Sequence, residues 1–355
     1  MINMIKSIIK GSLLIGTLVM SFSTMAGNED RIGSAGASEM LVNPWARSSA
    51  FGSAGIASTE GLEAQFSNVA GLAFTKKTQI KFNYTNWLGN AGISLNAAGI
   101  AQRVGEQSVI ALSIQSFGYG DIDVTTVELP EGGIGTFSPS QNIINLSYAR
   151  EFSNSIYAGI NVKVVSENIA NLKTNGIAFD AGVRYVTGEQ DQVKFGITLR
   201  NVGTPMKFEG DGQSNDVFYQ GTDQSATLVQ RAATFEMPSL LAMGFSYDFI
   251  FSENSKLIAA AAFHANSFTN DQLNIGLDYG LSFDKAAFNV RAGFIGEKNI
   301  FDREVSSNSL TGFTAGVSVD ALLGDNKIPL GVEYAMRTSN PFGLIHTIGV
   351  SLSLR

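Results

Sequence analysis

Ile348-Gly-Val350-Ser-Leu352-Ser-Leu354-Arg355 ends the chain. Ile348, Val350, Leu352 and Leu354 share one phase, and Gly349, Ser351, Ser353 and Arg355 share the other. Successive side chains of a strand point to opposite faces, so this stretch has one greasy face and one small or polar face. Soluble sandwiches and membrane barrels both produce that pattern. Strand lengths, connections and composition elsewhere decide between them.

Only 15% of the 355 residues are charged, against about 25% in soluble domains. Glycine is abundant at 38, aromatics reach 10% and cysteine is absent. A formal charge of −7 with no basic tail argues against a nucleic-acid partner. Lys6 and Lys10 precede the apolar run Gly11 to Phe22, which is too short to span a bilayer. Thr24-Met25-Ala26 supplies the small residues of a cleavage site, so residues 1–26 read as a signal peptide. Beyond it no apolar run approaches the length of a membrane helix. A secreted β protein and an outer-membrane barrel remain.

Residues 27–78 are rich in Gly, Ala and Ser, with only short helical turns near Ser38–Leu41 and Ser58–Ala64, yet Trp45, Phe51, Phe66 and Phe74 give them anchors. From there alternation is continuous. Fourteen strands are expected, over 79–86, 91–103, 107–118, 141–152, 155–167, 174–187, 192–203, 239–251, 255–266, 272–283, 286–297, 309–322, 327–338 and 344–355. Most exceed the roughly 5–6 residues usual in soluble sheets and match the roughly 9–11 of a tilted membrane strand. The even-numbered links, such as Ser153-Asn154 and Asp284-Lys285, are all tight turns, whereas the odd-numbered ones include the long links 119–140 and 204–238. Two unlike ends are what a barrel with short periplasmic turns and long extracellular loops presents. An even strand count also closes the sheet without an edge. The expectation is therefore an all-β, 14-stranded antiparallel transmembrane barrel over 79–355 in the cell outer membrane, bedded in its lipid, with both termini periplasmic.

Phase then sorts the charges. Ile177, Phe179, Val183 and Tyr185 lie on the face opposite Asp180 and Arg184, and Val193, Phe195, Ile197 and Leu199 on the face opposite Lys194 and Arg200. An arginine on the lipid face costs about 2–4 kcal/mol at the midplane. Lys163, Asp180, Arg184, Lys194, Arg200, Asp278, Arg291, Asp320, Glu333 and Arg337 are accordingly assigned to the lumen, as paired interior charges or as a selectivity ring. About eight strands is the limit at which a barrel's own side chains fill it. Fourteen need a plug, and 27–78 is the segment placed to supply one, as a hatch inside the lumen.

The hatch carries recognisable residues. Ala46-Arg47-Ser-Ser-Ala-Phe-Gly52-Ser-Ala-Gly55 resembles the N-terminal signature of the PorV/PorQ family, and Asn68-Val-Ala70-Gly71-Leu72 resembles the Asn-Pro-Ala-Gly-Leu hatch motif shared with FadL-type transporters. Val69 stands where the family usually has proline. The resemblance implies a FadL-like barrel of a Gram-negative, Bacteroidetes-type bacterium. It also implies no enzymatic activity and no cofactor. Its implied partners are proteins of the type IX secretion system, namely the translocon or the C-terminal domains of secreted cargo. The barrel-assembly machinery would read the last strand, although that strand ends in Arg355 rather than an aromatic residue. FadL relatives instead pass hydrophobic small molecules, which is the alternative function. The long links supply candidate partner-binding residues: Leu129, Pro130 and Phe137 in the first, and Phe218, Tyr219, Phe235 and Met237 in the second.

Other chemistry is thin. His264 and His346 fall on opposite phases, there is no cysteine, and no G-x-S-x-G run is present, so neither a His/Cys metal site nor a serine hydrolase is expected. Glu209, Asp211 and Asp216 lack EF-hand spacing. Gly132-Gly133-Ile-Gly135 lacks the lysine and helix of a phosphate loop.

Overall fold

The computed structural model describes residues 31–89, 91–218, 225–298, 308–323 and 328–354. The expected signal peptide 1–26, Tyr219, Arg355 and the side chain of Phe218 lie outside the described residues.

Fourteen strands form one closed antiparallel barrel. In chain order they are β1 Thr78–Trp87, β2 Ile93–Val104, β3 Ser108–Gly118, β4 Ser140–Ser153, β5 Ile156–Ile169, β6 Leu172–Thr187 and β7 Val193–Gly203. The second half comprises β8 Leu240–Ser252, β9 Ser255–Asn266, β10 Gln272–Ser282, β11 Ala286–Glu297, β12 Gly312–Leu323, β13 Ile328–Ser339 and β14 Gly343–Leu354. Each pairs with its sequence neighbour, and β14 closes on β1 from Thr78↔Leu354 to Asn86↔His346. The strands fall where alternation puts them. Ile348 and Val350 are exposed on the outer face, while Thr347, Gly349 and Ser351 are buried. β6 repeats the pattern, with Ile177, Phe179, Val183 and Tyr185 outward and Thr174, Ala178, Asp180 and Arg184 inward. Exposed apolar residues of this kind recur around the barrel and form a lipid-facing surface.

The links divide the barrel into a turn end and a mouth. At the mouth the link 119–139 carries a small ribbon, Ile122–Asp123 with Thr136–Phe137, and the link 204–239 carries a second, Ser214–Phe218 with Ser225–Val229.

Residues 31–77 occupy the lumen as a chain of short helical pieces: 3₁₀ turns at Ser38–Leu41, Gly61–Gln65 and Val69–Phe74, and an α-helix, α1, at Ala46–Ala50. Their largest side chains supply most of the interior. Trp45, Leu62, Phe66, Val69 and Leu72 pack against the small wall residues Ala97, Ala101, Ala111 and Ala149. The expected periplasmic termini lie outside the described residues, and the described part of the plug runs from one end of the barrel to the other. Arg31 pairs with Glu236 at 2.8 Å and lies over the ring of Phe268, both at the mouth. Leu354 lies at the turn end beside Thr78. The plug therefore enters at the mouth and runs down the lumen into β1. An irregular segment carries no period that would reveal its direction.

Candidate functional site: the plugged lumen and its mouth

The quoted hatch residues hold the plug to the wall. Asn68 begins the turn Val69–Phe74: its Oδ1 accepts from the Ala70 backbone N–H at 3.2 Å. Its Nδ2 donates to the carbonyls of Ile56 and Val183, each at 3.0 Å. One side chain thus ties two plug segments to β6. Ala46 and Arg47 open α1, and the backbone of Gly52 continues it in the left-handed region at φ 67°. Ala70, Gly71 and Leu72 are buried beside Ala64 and Thr59.

Inward glycines of the wall let the plug backbone approach. A Cβ on Gly276 or Gly293 would collide with the backbone at Phe51 and Gly52. On Gly196 it would stand 2.5 Å from the Ile56 carbonyl oxygen, and on Gly159 2.9 Å from that of Val69. Gly182 meets the Asn68 side chain in the same way. Gly55 keeps its turn against Thr59.

All ten charges assigned to the lumen point inward, and they form two kinds of site. Toward the turn end, the Arg47 guanidinium bridges Asp320 at 2.6 Å and Glu333 at 2.7 Å. Lys81 binds Glu333 at 2.8 Å and also binds Glu63, whose other oxygen accepts from the Ser48 N–H at 2.8 Å. Arg184 reaches Glu60 at 3.2 Å and covers the ring of Phe74. Lys194–Asp248 at 2.6 Å and Arg291–Asp278 at 2.8 Å are pairs within the wall. Alternation around Ile80 and Phe82 already turned Lys81 inward, as it turned Asp248 between Tyr247 and Phe249, yet neither stood among the assigned charges. Glu63 had no local signal at all.

Toward the mouth the pattern changes. Lys163 binds Asp180 at 2.7 Å and the Asn201 side chain at 2.6 Å. Asp180 also accepts from the Asn201 backbone N–H at 2.7 Å. There the β6–β7 register slips between Phe179 and Ala181, and Asn201 takes a left-handed φ of 58°. The other slips, at Glu151/Ser153 and Ile250/Ser252, sit beside tight turns. Arg200 instead stacks on Phe66 at 4.0 Å and Arg337 on Trp87 at 4.8 Å, and neither has a carboxylate partner among the described residues.

The two long links behave differently. Leu129 and Pro130 are exposed, Val127 and Ile134 with them, and Phe137 is half-buried in its ribbon. Phe235 and Met237 do not offer themselves to a partner. Met206 and Phe235 exchange backbone hydrogen bonds at 2.8 and 2.9 Å, and this folds the segment back over the lumen. Met237 is then buried with Met206, Met40, Ile143 and Val165, and Phe235 covers the same cluster. The apolar pair closes the mouth because the plug at Ala37 and Met40 gives it a surface to cover. The Tyr119 hydroxyl donates to Glu39 at 2.7 Å and fixes the first long link to the plug as well. Burial, and then the Glu39 carboxylate, push the Tyr119 phenol up, so it stays a donor. Among the described residues no three His, Asp or Glu side chains gather to hold a metal.

Residues 25–222 match the family model of the type IX secretion system protein PorV. No curated protein matches the sequence. The fold is similar to that of the CymD monoaromatic hydrocarbon channel, with a TM-score of 0.55 and 13% identity over 89% of this chain and 98% of that one. It is also similar to the Ralstonia pickettii toluene transporter TbuX, with a TM-score of 0.54 and 13% identity over 87% and 97%. A Pseudomonas aeruginosa FadL homologue gives a TM-score of 0.52 and 12% identity over 88% and 98%. At these identities the likeness is one of fold.

Proposed function

This chain belongs to the PorV family, and from that premise we propose that it is a plugged outer-membrane barrel that docks protein partners of type IX secretion at its mouth. The turn end faces the periplasm and the mouth faces outward, the arrangement that short turns and long loops favour. One observation carries the reading: above a plugged lumen, the link 119–139 holds Val127, Leu129 and Ile134 out to solvent. A loop of that length with exposed apolar side chains suits contact with another protein. Asp121, Asp123, Glu128 and Glu131 surround them and favour a basic partner. The plug supports the barrel as a scaffold, and no catalytic or cofactor role enters.

The test is affinity purification of the tagged chain from gently solubilised outer membranes, beside a variant carrying Val127→Asp, Leu129→Asp and Ile134→Asp. Translocon or cargo proteins should co-purify with the first and be lost from the second. Identical recovery from both would sink the docking surface.

A second reading, passage of hydrophobic small molecules as by the hydrocarbon channel and the toluene transporter of similar fold, is favoured by the slip at Phe179/Ala181. Lys163, Asp180 and Asn201 fill that slip with a polar network. Asp180→Ala should then increase uptake of a hydrophobic probe such as toluene, and unchanged uptake speaks against transport.

A further inference from the structure

The charged contacts of the plug with the wall at the turn end match opposite signs: Glu63 with Lys81, Glu60 with Arg184, and Arg47 with Asp320 and Glu333. One contact near the mouth does not. Glu39, on the plug turn Ser38–Leu41, and Glu167, on β5, both reach the side-chain amide of Gln141 on β4. Its Nε2 donates to Glu167 at 2.6 Å and to Glu39 at 3.4 Å. Neither carboxylate forms a salt bridge among the described residues. Two carboxylates that share a neighbour repel each other, and here the repulsion acts between plug and wall.

The amide between them says what is missing. Gln141 is 2% exposed, and its Oε1 is buried with no hydrogen-bond partner. Buried polar atoms are nearly always satisfied. The side chain ends between Glu39 and Glu167, and a half-turn of the amide exchanges Nε2 for Oε1. Three oxygen ligands from three elements then face one another, an arrangement that a cation stabilises. Glu39 and Glu167 are half-buried, so ions and water have access from the mouth. An all-oxygen set with two negative charges suits a hard divalent cation. Ligands drawn from a plug turn and two strands do not make a regular octahedron. Calcium accepts an irregular set completed by water, whereas magnesium demands near-ideal octahedral geometry. Two carboxylates and one amide carbonyl are a lean set, which places the affinity with extracellular calcium modules, at about 10⁻⁴–10⁻³ M.

We propose that Glu39, Glu167 and Gln141 form a calcium site that clasps the plug turn to β4 and β5 at the mouth. The site goes beyond the docking role and stands whether or not a protein is recruited. Terbium is the probe, because it takes calcium sites and emits when a nearby tyrosine is excited. Tyr119, whose hydroxyl lies 2.7 Å from Glu39, is placed to sensitise it. Titration of terbium into the full chain in detergent should give saturable emission that calcium displaces, with magnesium weaker by about tenfold or more. Glu167→Gln and Glu39→Gln should each weaken calcium by about tenfold or more, since each removes a charged ligand, while circular dichroism stays that of the folded barrel. No calcium-displaceable emission from the unaltered chain would overturn the site whether or not the variants fold. So would a calcium affinity indifferent to both substitutions. Magnesium displacing terbium as well as calcium does would overturn the assignment to calcium.

Discussion

The two halves of the plug are held to the wall by different physics. Toward the turn end, plug carboxylates and Arg47 meet wall charges of opposite sign in the buried cluster Arg47–Asp320–Glu333–Lys81–Glu63. Toward the mouth, Arg200 and Arg337 lie on aromatic rings, and neither forms a salt bridge among the described residues. Opposite charges hold the first half, and contacts between guanidinium and ring hold the second.

The largest effect should come from removing the hub of the first half. Glu333→Ala leaves Lys81 and Arg47 buried with one fewer anion and should cost about 3–5 kcal/mol, read as a lower urea midpoint in lipid vesicles followed by tryptophan emission. A loss below about 1 kcal/mol would mean that the cluster is a by-product of packing. Gly276→Val drives a side chain into Phe51 and should cost about 1–3 kcal/mol in the same assay. Because that site uses shape alone, its loss should not vary with salt. Glu60→Gln should cost at most about 1 kcal/mol, since the Glu60 side chain is half exposed and Arg184 keeps the Thr59 carbonyl at 3.2 Å. Arg337→Met is the sharpest contrast. With no anion present it removes a buried, unneutralised charge and should leave stability within about 1 kcal/mol of the parent or raise it. A loss as large as that from Glu333→Ala would erase the distinction between the halves.

The wall was legible because two signals reinforce each other there. Period-2 alternation places strands such as Ile348–Leu354, and turn chemistry at Ser153-Asn154 or Asp284-Lys285 fixes their ends. The same alternation puts all ten assigned charges inside. What it could not give was pairing. Lys194 meets Asp248 across two neighbouring strands, but Arg47 meets Glu333 across most of the chain, and no local pattern encodes that. The plug was legible as composition, as the motifs around Arg47 and Asn68, and as short turns near Ser38–Leu41 and Ser58–Ala64. Its direction and the role of Glu63 depend on the wall around it. Phe235 and Met237 show the same limit: an apolar residue in a long loop reads the same whether it faces a partner or the plug beneath.

The seam between β1 and β14 has one more consequence. Behind it, Lys81 comes from the first strand, Asp320 and Glu333 come from two of the last three, and Arg47 and Glu63 come from the plug. During biogenesis these groups are separated by nearly the whole length of the chain. Each would enter a lipid-bounded cylinder as an isolated charge if it arrived alone. Filling the cylinder and sealing it are therefore coupled, and a chain closed without Arg47 would leave Asp320 without its partner and Glu333 with Lys81 alone.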